Sequence, residues 1–305
     1  MVQPSAVIRF RPVRFLAFLV PAFLGVVTAG LLGCVTLPND HRTLQGDARG
    51  FVRVASAPCA LAPAAADPVG ETPGLNAERF RVLTWNVHRS GDAGWRADFV
   101  RFAADHDVLA LQEAYFTDDL YGVLWDGHFH WRLSASFRLF DIDAGVLTAS
   151  RAPVGRACSL RQTEPLTRIP KSTLTTTHRI AGMTEPLLMA NLHGINFTVG
   201  TSAFEQQLNA VAAVLAQHSG PVILAGDFNT WSAARRAVLD SVVARLGLAP
   251  AVPADDRRTR FLGQPVDGMY YRGLEGIDAA AFPVTSSDHN PVSVTFRAPA
   301  RPLAL

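Results

Sequence analysis

The sequence predicts an α+β domain built as a four-layer sandwich, two packed mixed β-sheets flanked by helices. Three observations carry that expectation. Short apolar or alternating runs of strand length recur between residues 79 and 299. Helical patterns are interspersed among them, with no internal repeat. With 49% hydrophobic and 18% charged residues, the 305-residue chain has material for a sizeable core and too little charge for a disordered one.

The chain opens on a different texture. Arg9, Arg11 and Arg14 precede the run FLAFLVPAFLGVVTAGLLG, and no charged residue occurs from Phe15 to Asn39. A basic lead before such a run reads as a signal peptide or a membrane anchor. Its length falls between the about 7–15 residues of a signal-peptide core and the about 20 of a spanning helix, and Pro21 interrupts it. Leu31-Leu32-Gly33-Cys34 also resembles a bacterial lipoprotein signal, with Cys34 lipidated after cleavage. Residues 1–34 are therefore expected to export or anchor the chain. The rest is expected outside the cytoplasm, in a bacterial cell envelope as an anchored protein or lipoprotein, or as a soluble periplasmic or secreted one.

Residues 35–78 are rich in Ala, Pro, Asp and Gly and read as a linker, most plainly over APCALAPAAADPVGETPG. From Phe80 the pattern is that of a catalytic domain spanning 79–299, with 300–305 a tail. FRVLTWNV is a buried strand, and AGWRADFVRFAADH a helix with Trp95, Phe99 and Phe102 on one face. VLALQ, WRLSASF, AGVLTAS, KSTLTTT and LLMANLHGINF follow as strands. Ser202-Ala-Phe-Glu205 reads as a capping box opening a helix whose apolar face is Phe204, Leu208, Val211 and Leu215, with Gly220 as its stop. PVILAG is a short buried strand. Ser232 caps another helix ending near Gly247, and VDGMYYRG, AAFPV and PVSVTF close the sheets.

Bulk charge gives no reason to expect a general polyanion binder. The formal net charge is +2, from 28 basic and 26 acidic residues. Setting aside the three leading arginines leaves 25 basic against 26 acidic, so any attraction to phosphate must be local. Of the three cysteines, Cys59 and Cys158 either pair in an oxidising compartment or stay as partly buried thiols.

The chemistry shows at the ends of apolar strands. Asn86 ends TWN, Glu113 ends LALQE, and His193 interrupts MANLHGINF. Asp227 and Asn229 end VILAGDFN, Asp267 sits in PVDGMYYRG, and Asp288-His289 precedes NPVSV. Each alone is an ordinary turn residue, helix-initiating acid or hydrogen-bonded core histidine. Together they are ionisable groups at the ends of buried strands, which is costly unless they are paired or metal-bound.

In order, WNVH, LQE, NLH, GDFN, VDGMYYRG and SDHNPV match the successive motifs of the endonuclease/exonuclease/phosphatase superfamily, over residues 79–297. The segments IPKSTLTTT, NLHGINFTVG and HSGPVILAGDFNTWS, with the closing YYRGL, resemble most a branch of short bacterial proteins of the YafD type. The resemblance implies a DNase I-like fold and hydrolysis of phosphoesters with Mg²⁺ or Mn²⁺. It implies a metal site at Asn86, Glu113 and Asp288, with Glu113 the principal carboxylate. It assigns His193 to the reacting phosphate, Asp227 and Asn229 to the attacking water and a phosphate oxygen, and Asp267 to bracing His289. Carboxylate and amide oxygens suit a hard cation, and phosphoryl transfer needs charge stabilisation and an aligned water. Whether Asp227 or His289 takes the proton from water stays open.

Three departures stand out. His88 takes a position that is often Asn, Asp or Arg in relatives, Gly268 one that is often larger, and no counterpart exists to the tyrosine of DNA-repair members. Substrate contacts are expected from Lys171, the only lysine, from Trp231 after GDFN, and from Arg257, Arg258 and Arg260 before Asp267. Arg168 is close enough in sequence to join them. The expected activity is a phosphodiesterase, most simply a nuclease. The alternatives are a phosphatase or phospholipid phosphodiesterase and, in another class, a catalytically silent phosphate-binding module. The expected partners are a phosphoester substrate, nucleic acid included, and the membrane through the N-terminal segment, with the chain a monomer.

Overall fold

FRVLTWN, VLALQEAY, LLMANLH and VILAGD are buried along nearly their whole length, as central strands covered on both faces must be. A computed structural model of the chain describes residues 35–38, 42–56, 59 and 73–299. In chain order the strands begin with β1 (Val35–Thr36), β2 (Arg42–Asp47), β3 (Gly50–Ala55), β4 (Phe80–Asn86), β5 (Val108–Tyr115) and β6 (His130–Leu139). They continue with β7 (Ile142–Ser150), β8 (Val154–Thr163), β9 (Pro170–His178), β10 (Leu187–His193), β11 (Val222–Asp227) and β12 (Ala249–Pro250). The last are β13 (Arg260–Phe261), β14 (Gln264–Pro265), β15 (Asp267–Arg272), β16 (Glu275–Ala281) and β17 (Val292–Arg297). The helices are α1 (Trp95–Asp105), α2 (Asp118–Asp126), α3 (Ser202–Leu215) and α4 (Ala233–Arg245), with a 3₁₀ turn at His88–Ser90.

One sheet runs β16-β17-β4-β5-β7-β6-β2-β3, with β1 on β6, and the other runs β12-β15-β11-β10-β9-β8. Both are mixed: β4–β5 and β10–β11 are parallel, and their other neighbours antiparallel. Period-two alternation builds the layers. Phe80, Val82, Val108 and Ala110 face Leu187, Met189, Ile223 and Ala225 between the sheets. Leu83, Trp85, Leu109 and Leu111 turn outward onto Phe99 and Phe102 of α1 and Leu120 and Leu124 of α2. Leu188, Ala190, Leu192 and Leu224 turn outward onto Phe204 and Leu208 of α3 and Leu239 and Val242 of α4. Each such side chain contributes roughly 1.5–3 kcal/mol on burial. The result is the expected four-layer sandwich.

Several expectations need correction. Part of the stretch read as linker, 35–78, is sheet: β2 and β3 form a hairpin that pairs with β6. The hairpin docks by Phe51, whose ring meets Phe116 and Tyr121 edge-on at 5.1 and 5.3 Å, and by an Arg53–Asp143 ion pair. Cys59 and Cys158 form a disulfide, Cα–Cα 5.2 Å, that ties the segment after the hairpin to β8. The helix at 202 starts one residue earlier than the capping box implies: Thr201 is its N-cap, without a side-chain cap, so Ser202 and Glu205 cannot act as reciprocal partners. It ends at Leu215, well short of Gly220. The strand in LLMANLHGINF ends at His193 because Gly194 bonds to the Asp227 carbonyl and leads into a loop. Ser232 caps α4 as expected, accepting from the Arg235 N–H. The N-terminal segment 1–34 with Cys34, and the tail 300–305, lie outside the described residues. Among the described residues no helix is long and apolar enough to cross a membrane.

Candidate active site

The two parallel strand pairs point their C-terminal ends the same way, and the polar strand ends gather there. His193 is in register with Asp227, and Asp227 with Asp267. On the other sheet Asn86 pairs with Gln112, and a bulge between Leu111 and Ala114 swings Glu113 out of the ladder. Glu113 and Asn229 have left-handed backbones, φ 50° and 51°, as do His88, Arg89 and Ser90 at 43°, 63° and 57°. Such conformations are strained for non-glycine residues and persist only where the surroundings enforce them. Gly226 has φ 149°, and a Cβ there would collide with the Leu192 carbonyl, so only glycine lets β11 approach β10 at this point.

The loop carrying His289 is stapled to the opposite motif. The Trp85 indole N–H donates to the His289 carbonyl at 2.9 Å, and the Ser287 hydroxyl donates to the Asn86 carbonyl at 2.7 Å. Asn290 donates from its backbone N–H to Thr259 Oγ1 and from its side chain to the Arg257 carbonyl, both at 2.7 Å.

Asp227 is buried and held by three donors. Its Oδ1 accepts the Asn229 N–H at 2.9 Å, and its Oδ2 accepts Asn86 Nδ2 at 3.1 Å and Asn229 Nδ2 at 3.2 Å. The remaining Asn86 oxygen accepts the His88 N–H at 3.1 Å. His289 Nδ1 donates to both oxygens of Asp267, at 3.0 and 2.8 Å. Burial draws the His289 imidazole down, but Asp267, Asp227, Asp288 and the Asp267 hydrogen bond outweigh it and lift the group to about 10. Burial pushes the Asp267 carboxyl up to about 6 against the pull of His289. At neutral pH the pair is thus an imidazolium on a carboxylate. His193 is held well below its ordinary value by burial, then by Lys171 and His289, and is neutral. Lys171 Nζ donates to His193 Nε2 at 2.9 Å, which brings the predicted substrate lysine into the site.

Glu113 is half-buried, with Arg89 Nε at 3.7 Å and His193 Nε2 at 3.8 Å as its nearest partners. Asp288 lies exposed at the rim, 4.0 Å from His88 Nδ1. His88 donates to Asp92 at 2.7 Å, and this bond, with Asp288 and Glu113 nearby, raises the imidazole against the pull of burial. His88 thus stands among the expected metal carboxylates. A Cβ at Gly268 would meet the Tyr270 ring at ordinary contact distance, so the backbone there does not require glycine.

A hard divalent cation fits the oxygen set of Glu113, Asn86 and Asp288, since the Glu113 carboxylate is open to it with no close donor among the described residues. Asp227, Asp267 and His289 also bring ligand atoms within 4.8 Å of one another. That trio suits proton handling better: both Asp267 oxygens are occupied by His289, and an imidazolium cannot ligate.

The remaining predicted substrate contacts are placed otherwise. Trp231 donates to Asn196 Oδ1 at 2.9 Å and stacks beside Arg235, so it braces a loop. Arg257 pairs with Asp255 at 2.8 Å, and Arg258 and Arg260 pair with Asp256 at 2.7 and 2.6 Å. Arg258 and Arg260 share one carboxylate, so these pairs offset only part of the three positive charges, and the loop supports the His289 loop through Asn290. Arg168 has a left-handed backbone, φ 62°, in the turn before β9.

Sequence reasoning missed Arg235, Gln207, Glu164 and Arg89. Buried Arg235 donates from Nε to the Asn229 carbonyl at 2.7 Å and from Nη2 to the Ile195 carbonyl. Gln207 donates to the His193 carbonyl at 2.9 Å and accepts the Ile195 N–H at 2.8 Å. Gln207 and Arg235 lie on helices, where position alone carries no such signal, and Glu164 follows β8, a strand not marked out by an apolar run.

Comparison with known proteins agrees with this geometry. Residues 83–289 match the model of the Endonuclease/Exonuclease/phosphatase family. A UPF0294 protein of Vibrio parahaemolyticus is 38% identical over 218 residues, 71% of this chain and 77% of that one. A UPF0294 protein of Klebsiella pneumoniae is 35% identical, over 77% of this chain and 88% of its own. Among solved structures, an endonuclease/exonuclease/phosphatase from Beutenbergia cavernae superposes with TM-score 0.56 at 20% identity, covering 74% of this chain and 73% of that one. The human Nocturnin catalytic domain with bound sulfate anion gives TM-score 0.56 at 16% identity, covering 74% and 96%.

Proposed function

The chain belongs to the Endonuclease/Exonuclease/phosphatase family, in its UPF0294 branch, and from that premise we propose that it is a divalent-metal-dependent phosphodiesterase, most simply a nuclease. The family includes nucleases, phosphatases and phosphodiesterases, and its members typically depend on a divalent metal. One observation carries the reading: the Asp267–His289 ion pair stands beside an Asp227 oriented by Asn86 and Asn229.

Glu113, Asn86 and Asp288 would hold Mg²⁺ or Mn²⁺, which would supply positive charge to the phosphoryl group. The other roles follow from the side chains. Asp227, fixed by three donors, is the acceptor that orients the attacking water and takes its proton. His289, already protonated and braced by Asp267, is a donor to the phosphoryl oxygens and not the base. Lys171 and the Asn229 amide add donors for the charge that develops there.

The envelope location belongs to the same proposal. The arginine-led apolar run and the Cys59–Cys158 disulfide both suit an oxidising compartment. A periplasm-dependent reporter at the C-terminus should be active, and cytoplasmic activity of that fusion would remove this part. For the chemistry, the full chain is assayed with Mg²⁺ on plasmid DNA, single-stranded nucleic acid, phosphomonoesters and phospholipids. Cleavage of a nucleic acid that disappears with chelator and needs more Mg²⁺ in Glu113→Gln is expected. Hydrolysis confined to monoesters or lipids would overturn the nuclease assignment, and none at all would leave a phosphate-binding module.

A further inference from the structure

We propose that a cavity beside Glu113 and His193 binds one flat, base-sized ring of a single-stranded phosphodiester, an inference that rests on the phosphodiesterase reading above. The cavity has a volume of about 260 Å³ and opens against both residues. Tyr115, Phe137, Ile169 and Phe197 give it apolar walls, and Arg89 and Lys171 add two cations. Two larger hollows, about 420 and 390 Å³, lie along the β2–β3 hairpin and share no residue with the site.

Size sets the class of occupant. Sites for whole drug-sized ligands run to about 300–1,000 Å³, so this one takes a single ring, not a length of polymer. A base paired in a duplex would have to be unstacked and flipped to enter, which costs a few kcal/mol and is avoided in a single strand.

The walls favour an aromatic ring over an alkyl chain. Tyr115 and Phe137 stand edge to face, centroids 5.9 Å apart and planes at 78°, beside the planar Arg89 guanidinium. Ser136, Glu164 and Thr167 also line the space, so its wall is not wholly apolar. Arg89 lies 3.7 Å from Glu113 and Lys171 2.9 Å from His193, where the phosphate attached to the bound ring would pass.

The cavity is also preformed. Glu164 is buried, and its Oε1 accepts the Asn196 and Phe197 N–H groups at 2.7 and 2.9 Å. Its Oε2 accepts the Thr167 hydroxyl at 2.6 Å, so one carboxylate ties together the two loops that wall the cavity. On the other side the left-handed run His88-Arg89-Ser90 fixes where Arg89 emerges.

The test compares adenosine 5′-monophosphate with ribose 5-phosphate by calorimetric titration of the full-length chain in detergent, with Mg²⁺ present. The nucleotide should bind at least about tenfold tighter, the scale of one base on an aromatic wall. Tyr115→Leu and Phe137→Leu should remove most of that difference and leave ribose 5-phosphate unaffected. Phe197→Ser, at an exposed position, provides a third variant whose folding is not at stake, and thermal unfolding checks all of them. Equal binding of the two ligands, or a preference that survives in every folded variant, overturns the proposal. Tighter binding of hexyl phosphate than of the nucleotide overturns it in favour of a lipid chain. Hydrolysis of single-stranded DNA with Mg²⁺ is scored separately: its absence with the binding preference intact counts against the phosphodiesterase reading alone.

Discussion

Gln112 Nε2 donates to Asn191 Oδ1 at 2.7 Å, joining the two sheets one residue before Glu113 and two before His193. Asn191 in turn donates to the Leu147 carbonyl at 2.9 Å and the Leu111 carbonyl at 3.2 Å. The middle of the LQE motif and the first residue of NLH thus form one clamp between the sheets, beside the Ser136–Ser172 and Asn86–Asp227 contacts. Its length sets how far Glu113 stands from His193.

Asn191→Leu should therefore act on stability and on the site together. It removes buried hydrogen bonds and leaves the Leu147 carbonyl short of a donor, a change that costs roughly 1–3 kcal/mol. Urea unfolding should show that loss, and turnover of the folded fraction should fall as well. A stability loss with unaltered turnover would mean that the clamp does not set the site's geometry.

Arg235 should behave as a positioning residue. Its guanidinium bridges the Asn229 and Ile195 carbonyls and stacks on Phe204 at 4.2 Å, so it fixes the GDFN loop against the His193 loop. Arg235→Lys keeps the charge and loses the fork. It should lower kcat by up to about 10²-fold, the scale of a misplaced reacting group, with KM little changed. A change confined to KM would place Arg235 with substrate binding instead.

The Asp267–His289 pair predicts a pH window. Asp267 is ionised above about 6 and His289 protonated below about 10, so kcat/KM should be maximal between those values. Asp267→Asn should remove the acid limb near 6 and lower the upper one. Stability follows the histidine with a definite sign. Its folded value lies above the unfolded value of about 6.5, so its stabilisation is complete below that pH and is lost as pH rises through about 10. The unfolding midpoint of the wild type should exceed that of His289→Ala most at pH 6 and least at pH 10. A gap that widens with pH would contradict the ion pair.

Much of this site was legible because ionisable groups at the ends of apolar strands stand out against their background. Asn86, Glu113, His193, Asp227, Asp267 and His289 all announce themselves in that way, and they converge. The central strands and helices were equally plain from periodicity. The hairpin of β2 and β3 was not, since β3 is an edge strand of mostly exposed residues with no apolar alternation to read. Likewise β8 mixes Arg, Ser and Gln into a half-buried strand, and α2 is only nine residues long, although Thr117 caps it by accepting from the Leu120 N–H. The roles of Arg257, Arg258 and Arg260 were hidden for another reason. Their acidic partners Asp255 and Asp256 are adjacent in sequence, but only the fold shows that the pairs close.

The most direct measurement is turnover of single-stranded DNA with Mg²⁺ by wild type, His289→Ala, Asp267→Ala and the double variant, each confirmed folded by thermal unfolding. His289→Ala should lose at least about 10²–10³-fold, the scale of removing a donor to the transition state. Asp267→Ala should lose a similar factor, and the double variant little more than either, as groups acting as one unit do. Losses that multiply in the double variant would show two independent roles, and full activity in His289→Ala would contradict the account.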